Sequence, residues 1–198
     1  VILHGHTGSE ALAHCEQLVA GGDYYFLHPH KCPPFLAGSE TIAREIVEDR
    51  PDTSRIYVPI GGGGLLSAIC AAAESSSTEI EVLGVEAEQA PAFARSFQAG
   101  RPVAIAEMDT IADALTINEP DGEVFDYVAS RTSRIVTVSE EEIVNAMRSL
   151  FDEFRVIAEP GGAASLAAMV KSDDGKNAAA IISGGNVSLD EFLQITGS

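Results

Sequence analysis

The sequence predicts an α/β fold: a doubly wound, mostly parallel sheet preceded by the remnant of a second, smaller α/β domain. Three observations predict it. Short β-rich apolar runs alternate along the chain with longer amphipathic runs, the pattern of strands crossed over by helices. Several of the short runs, residues 178–182 among them, are apolar throughout, as a strand must be when helices cover both its faces. Four glycines follow one such run and lead directly into an amphipathic one, a strand-to-helix turn with a backbone free to bend sharply.

The elements follow in order. Val1-Ile2-Leu3 reads as a strand already under way, and the chain opens on valine rather than methionine; the expectation is that the true N-terminus lies upstream. A helix over 9–19 and a strand over 24–27 come next. Cys32-Pro33-Pro34 interrupts the pattern, which places a boundary between a small-domain remnant, 1–32, and a large domain, 33–198. Within the large domain the periodicity predicts a helix over 39–49, a strand over 56–60, a helix over 65–74 and a strand over 81–86. The stretch 102–122 has little periodicity and reads as a long loop with a short helical piece, the kind of loop that faces a site. A strand over 135–138 then meets Ser139, an N-cap followed by Glu140, Glu141 and Glu142. The acids favour the positive end of a helix dipole, and Glu142 stands at capping-box spacing, so a helix over 140–154 starts here. Its carboxylates read as solvated surface. A helix over 162–170 and the strand 178–182 complete the series.

Composition narrows the function classes. The 198 residues carry 12 basic and 30 acidic side chains, a net charge of −18 and a pI near 4.4. Phosphate-rich partners would be repelled, which argues against nucleic acid and anionic membranes. At 45% hydrophobic residues the chain can pack a core, yet no run approaches the roughly 20 apolar residues of a membrane helix and no signal peptide opens it. Three cysteines without CxxC spacing fit a reducing, cytoplasmic setting. The excess of acid, with arginine preferred over lysine, looks like adaptation to high salt.

The strongest chemical signal is Pro59-Ile60-Gly61-Gly62-Gly63-Gly64-Leu65-Leu66. Glycines let the backbone aim several N–H groups at one point, and the following helix adds its positive end; together they make a cup for a phosphate. A dinucleotide site asks for GxGxxG and an acid about 20 residues on. Gly61 and Gly63 fit, Leu66 does not, and Glu86 could serve as the ribose-binding acid, so a nicotinamide-binding oxidoreductase domain stands as an alternative. His28, His30 and Cys32 alternate, as do His4 and His6, but the prolines among the former break any strand; they read as polar loop residues and no metal is assigned.

Further motifs decide between the readings. Ser183-Gly184-Gly185-Asn186 closes the last strand, Ala158-Glu159-Pro160-Gly161-Gly162 opens a helix, and Thr110-Ile111-Ala112-Asp113 and Gly84-Val85-Glu86 lie between. His28-Pro29, Ala37-Gly38 and Thr41-Ile42-Ala43 precede them. In this order the set resembles the threonine dehydratase and serine racemase family of fold type II pyridoxal-phosphate enzymes, over nearly the whole chain. The resemblance implies pyridoxal 5'-phosphate as cofactor, with its phosphate held by Gly61, Gly62, Gly63, Gly64 and the N–H of Leu65. It implies that Ser183 hydrogen-bonds the pyridine nitrogen and leaves it largely neutral, and that Glu159 is either an acid near the cofactor or a helix-start carboxylate. The implied function is that of the C-terminal portion of an ammonia-lyase taking L-threonine or L-serine to a 2-oxo acid and ammonia, a homo-oligomer at full length. Serine racemisation is the runner-up, and a non-catalytic, cofactor-binding half is a further alternative.

Departures from the family pattern matter as much. The family's Schiff-base lysine lies in a Ser-x-Lys-x-Arg-Gly type motif that has no counterpart here. The three lysines, Lys31, Lys171 and Lys176, all read as surface residues, so no catalytic residue is assigned and the chain alone is expected to be inactive. Ala114 replaces a glycine after Thr110-Ile111-Ala112-Asp113. Racemase-type members hold a divalent cation through a Glu, a carbonyl and an Asp; Glu86 and the Ala90 carbonyl match, but Ala92 stands where the second carboxylate belongs.

Overall fold

The computed structural model describes residues 1–5, 8–28, 31–132, 134–172 and 177–197. Four strands, β1 (Arg55–Pro59), β2 (Glu81–Ala87), β3 (Ile135–Val138) and β4 (Ala178–Ala180), form one sheet in the order β3-β2-β1-β4, with every pair parallel. Tyr57 stands opposite Leu83 on one side and Ala180 on the other.

Side chains alternate across a strand, so the sheet divides its core in two. Ile56, Val58 and Val82 point to one face, where they meet Leu66 and Ile69 of α3 (Gly64–Glu74), Ala43 of α2 (Pro33–Asp49), Val124, Phe125 and Val128 of α5 (Gly122–Ala129) and Phe93 of α4 (Ala92–Ala99). Tyr57, Leu83 and Val85 point to the other face. They pack on α6 (Glu140–Phe154) and α7 (Pro160–Ser172), with Phe192 of α8 (Leu189–Thr196) closing that layer. Helices on both faces explain why the middle of β1 and β2, from Ile56 to Val58 and from Val82 to Val85, is apolar. The fold is therefore the expected α/β arrangement with a parallel sheet.

Three expectations fail for a common reason: a strand exists only by pairing. Residues 1–3 and 24–27 belong to no strand, and Val1, Ile2, Leu3, Tyr24, Tyr25 and Leu27 are all exposed. The last strand is shorter than 178–182, although the Ile181 N–H still donates to the Tyr57 carbonyl at 3.0 Å. The two prolines at 33–34 do not break the chain but start α2, with Cys32 at the N-cap. Proline suits the first helical turn, where its missing N–H has no partner to lose.

Three helices lay hidden in the sequence. α5 and α8 announce themselves through caps, Asp121 accepting from the N–H groups of Glu123 and Val124, and Ser188 accepting from that of Glu191. α4 has no side-chain cap of its own at Pro91; a carboxylate from β2 supplies one, as described below. An N-terminal helix α1 (Gly8–Ala20) precedes these elements. No helix among the described residues is long and apolar enough to cross a membrane. All three cysteines are free.

Candidate functional site

Parallel strands aim their C-terminal ends at one edge of the sheet, and ligands of such sheets bind there. β1 ends at Pro59 and runs into the glycines; neighbouring β4 ends at Ala180 and runs into the turn that carries Ser183. Pairing of Tyr57 with Ala180 sets both turns at the same height.

Gly61, Gly62 and Gly63 form the turn, and Gly64 is the first residue of α3. Gly63 is the N-cap, with φ of +89°. Among the described residues, the N–H groups of Gly61, Gly62, Gly63, Gly64 and Leu65 have no hydrogen-bond acceptor. Five donors at the positive end of a helix, with no acceptor of their own, could hold an anion. The close quarters around the turn account for the glycines. A Cβ on Gly61 would lie 2.8 Å from the Ala114 carbonyl oxygen, so the backbone at Ala114 and Leu115 packs directly on the glycine turn.

Ser183 is exposed and, among the described residues, its hydroxyl has no partner. Leu65 and Ser183 line the same cleft of about 610 Å³, whose walls are Phe35, Ile42, Ile46 and Ile182. The structure thus brings the start of α3 and Ser183 together. Glu159 does not line this cleft. Its N–H donates to the Gly184 carbonyl at 3.1 Å, and its carboxylate accepts the Asn186 N–H at 2.7 Å. Of the two roles open to Glu159, the geometry favours the helix-start carboxylate, one that grips the 183–186 turn from behind.

Glu86 is not placed to serve as the ribose-binding acid. It is fully buried in β2, and its two oxygens accept the Phe93 and Ala94 N–H groups, each at 2.8 Å. It is the missing cap of α4, and no ribose can reach it, which removes the acid from the dinucleotide alternative. The Ala92 side chain is buried as well. Burial pushes the Glu86 carboxyl up to about 7, against the pull of the two N–H groups. A raised carboxyl pKa means that the folded state holds a proton the unfolded state gives up; the associated stability is complete below the unfolded pKa and is lost as pH rises through the folded one. Stability should therefore fall by about 2 kcal/mol between roughly pH 5.5 and 7.5. Glu86→Gln, which mimics the protonated form, should flatten that slope in urea melts. An unchanged slope in the variant would refute the assignment.

Both described lysines are paired with carboxylates. Lys31 pairs with Asp121 at 2.7 Å and Glu123 at 3.4 Å, and Lys171 with Glu142 at 3.0 Å and Glu88 at 3.5 Å. The hydrogen bond that Lys31 donates to Asp121 raises its pKa, and the one that Lys171 donates to Glu142 raises that of Lys171. A nucleophilic lysine needs the opposite shift. Lys176, His6 and His30 lie outside the described residues. Among those described, no cluster of three His, Cys, Asp or Glu residues could hold a metal.

One contributor was missed by sequence reasoning. Glu140 is not a merely solvated acid: it accepts the Thr110 hydroxyl at 2.6 Å and the Ile111 N–H at 2.8 Å. Glu142 is likewise engaged, closing the capping box with Ser139. The capping signal at 139–142 explained the acids too completely to suggest a second task for the first of them.

Comparison with known proteins places the chain in a family. A family model described as pyridoxal-phosphate dependent enzyme matches residues 1–184. An L-threonine ammonia-lyase of Thermotoga maritima is 36% identical over 197 residues, spanning 98% of this chain and 49% of the relative. The catabolic L-threonine dehydratase TdcB of Escherichia coli is 35% identical over 202 residues, spanning 100% of this chain and 61% of the relative. Maize serine racemase superposes with a TM-score of 0.88 at 27% identity, over 98% of this chain and 61% of its own. The chain spans about half to three-fifths of the length of the relatives it matches.

Proposed function

Because the chain belongs to the family of pyridoxal-phosphate dependent enzymes, we propose that it is the phosphate-cradling portion of an ammonia-lyase that takes a hydroxy-amino acid such as L-threonine or L-serine to a 2-oxo acid and ammonia. The observation that carries this reading is the set of five acceptor-free N–H groups at 61–65, sharing one cleft, through Leu65, with Ser183. The relatives name the substrate class: a threonine ammonia-lyase and a threonine dehydratase at 35–36% identity.

The residues present fit the cofactor. Gly61 to Leu65 would hold its phosphate, since a dianion complements five backbone donors and a helix N-terminus. Ser183 would hold the ring nitrogen, and a hydroxyl there leaves that nitrogen largely unprotonated. Glu159 would act behind Ser183, fixing the turn rather than touching the ring. When bound, the cofactor supplies an electron sink that eases loss of the substrate α-proton and β-hydroxyl. Neither described lysine would serve as the Schiff-base lysine, because Lys31 and Lys171 are committed to carboxylates. Residues 33–198 are the cofactor-binding domain in this reading and 1–32 the remnant of a smaller one; the three free cysteines support a cytoplasmic setting, and the full-length protein is read as a homo-oligomer. Serine racemisation is the second reading, favoured by the superposition on maize serine racemase, and formation of D-serine by the full-length protein would select it.

Thermal melts with pyridoxal phosphate and with NAD test the proposal. A ligand at a hundredfold excess over its dissociation constant stabilises by about 2.7 kcal/mol, roughly 5–10 °C for a chain of this size. Pyridoxal phosphate should give that shift and NAD none. Stabilisation by NAD alone would overturn the reading.

A further inference from the structure

The long segment between α4 and α5 has only a single 3-10 turn, Asp113–Leu115, of its own. It is nevertheless anchored. Ala112 is fully buried and Leu115 nearly so, both within the core layer shared by α6 and α7. At its centre, the chain from Thr110 to Leu115 touches the glycine turn through the Ala114 carbonyl and Leu115 Cα, 2.8 and 3.4 Å from the position a Gly61 Cβ would take. The other end of that short run is held by one side chain. Glu140, the first residue of α6 at the end of β3, accepts the Thr110 hydroxyl with one oxygen and the Ile111 N–H with the other, and the Thr110 oxygen in turn accepts the Ala112 N–H at 3.1 Å. Of the three consecutive acids, Glu142 is occupied by Ser139 and Lys171, and Glu141 is exposed.

We propose that Glu140 is a positioning residue: by clamping Thr110 and Ile111, it presses the 112–115 segment against Gly61 and thereby sets the shape of the anion cradle. The proposal rests on the reading of 61–65 as a phosphate site. Glu140 does not touch the phosphate, and a second carboxylate near a dianion would oppose binding. Its effect is transmitted by backbone contact, through a segment with almost no regular hydrogen bonding of its own. Two bonds to an ionised acceptor are strong enough to hold such a segment in one arrangement.

The test measures binding of pyridoxal phosphate to the chain, together with the ³¹P resonance of the bound phosphate. Glu140→Ala should weaken binding about tenfold, the scale of one or two lost charged hydrogen bonds, and should shift the resonance toward that of free phosphate. Glu140→Gln should largely restore both, because its carbonyl can accept the Ile111 N–H while its amide donates to the Thr110 oxygen. Glu141→Ala, which removes the same charge without the contacts, should bind as the parent does. If Glu140→Ala fails to fold, Thr110→Val removes the other half of the clamp and should give a loss in the same direction. Parent-like affinity and an unchanged ³¹P resonance in a folded Glu140→Ala or Thr110→Val variant would overturn the proposal. Failure of the parent chain to bind pyridoxal phosphate would instead overturn the phosphate reading, and the clamp's role with it.

Discussion

Gly63→Ala is expected to lower the melting midpoint by roughly 6–12 °C, the equivalent of about 3 kcal/mol for a chain of this size. Two costs add. Alanine in the left-handed region costs about 1–2 kcal/mol, and Gly63 has φ of +89°. The new methyl would also lie 2.6 Å from Val124 Cγ1 and 3.0 Å from Phe93 Cζ, inside a packed layer; overfilling of that kind costs about 1–3 kcal/mol. Gly100→Ala separates the two, since Gly100 has φ of +66° and open space around its Cβ position. It should cost only the backbone part, about 1–2 kcal/mol. The Gly63 variant should also lose saturable binding of inorganic phosphate, because any relief of the clash moves the turn that aims the N–H groups. Equal effects of the two substitutions would show that the close packing around Gly63 is not real.

Gly162→Ala is expected to cost about 2 kcal/mol, or roughly 4–8 °C, and to act on a different part of the site. Its Cβ would lie 2.8 Å from the Gly184 backbone nitrogen and closer still to the Gly184 carbonyl. That backbone cannot retreat, because the Glu159 carboxylate lies on its other side, with Glu159 Cδ 2.6 Å from where a Gly184 Cβ would be. The displaced element is the turn that carries Ser183. Inorganic phosphate should therefore bind as in the parent, while pyridoxal phosphate, for which the proposal adds a ring contact to Ser183, should bind about tenfold more weakly, the scale of one lost hydrogen bond. If phosphate and pyridoxal phosphate weaken together, the division of labour between the 61–65 and 183–186 turns is wrong.

Both turns were legible in the sequence, because a turn with special backbone demands must be written in glycine. The central strands and α3, α6 and α7 were legible too, since their hydrophobic periods are set locally. The segments 1–3 and 24–27 carry equally strong β composition and are not strands, because composition describes what a strand would like and not whether a partner lies alongside. The start of α2 was placed at residue 39 rather than at Pro33 for a similar reason: the same two prolines can end one element or begin another, and only the direction of the following helix decides. Glu86, Glu140 and Glu159 were visible as acids. Their partners lie 7, 29 and 27 residues away, and no local pattern joins them.

The chain's acidity, its parallel α/β architecture and the place of its glycine turn before α3 follow from residue order alone, because they depend on neighbours within one helical turn or one strand. The scarcity of lysine is also plain in the composition. What the tertiary structure decided is how each charge is used. Lys31 and Lys171 are bound to carboxylates, Glu86 caps a helix, and Glu159 and Glu140 grip the two segments that border the site. These assignments depend on which backbone donors and which opposite charges the fold brings within about 3 Å, the range over which a hydrogen bond or ion pair is strong.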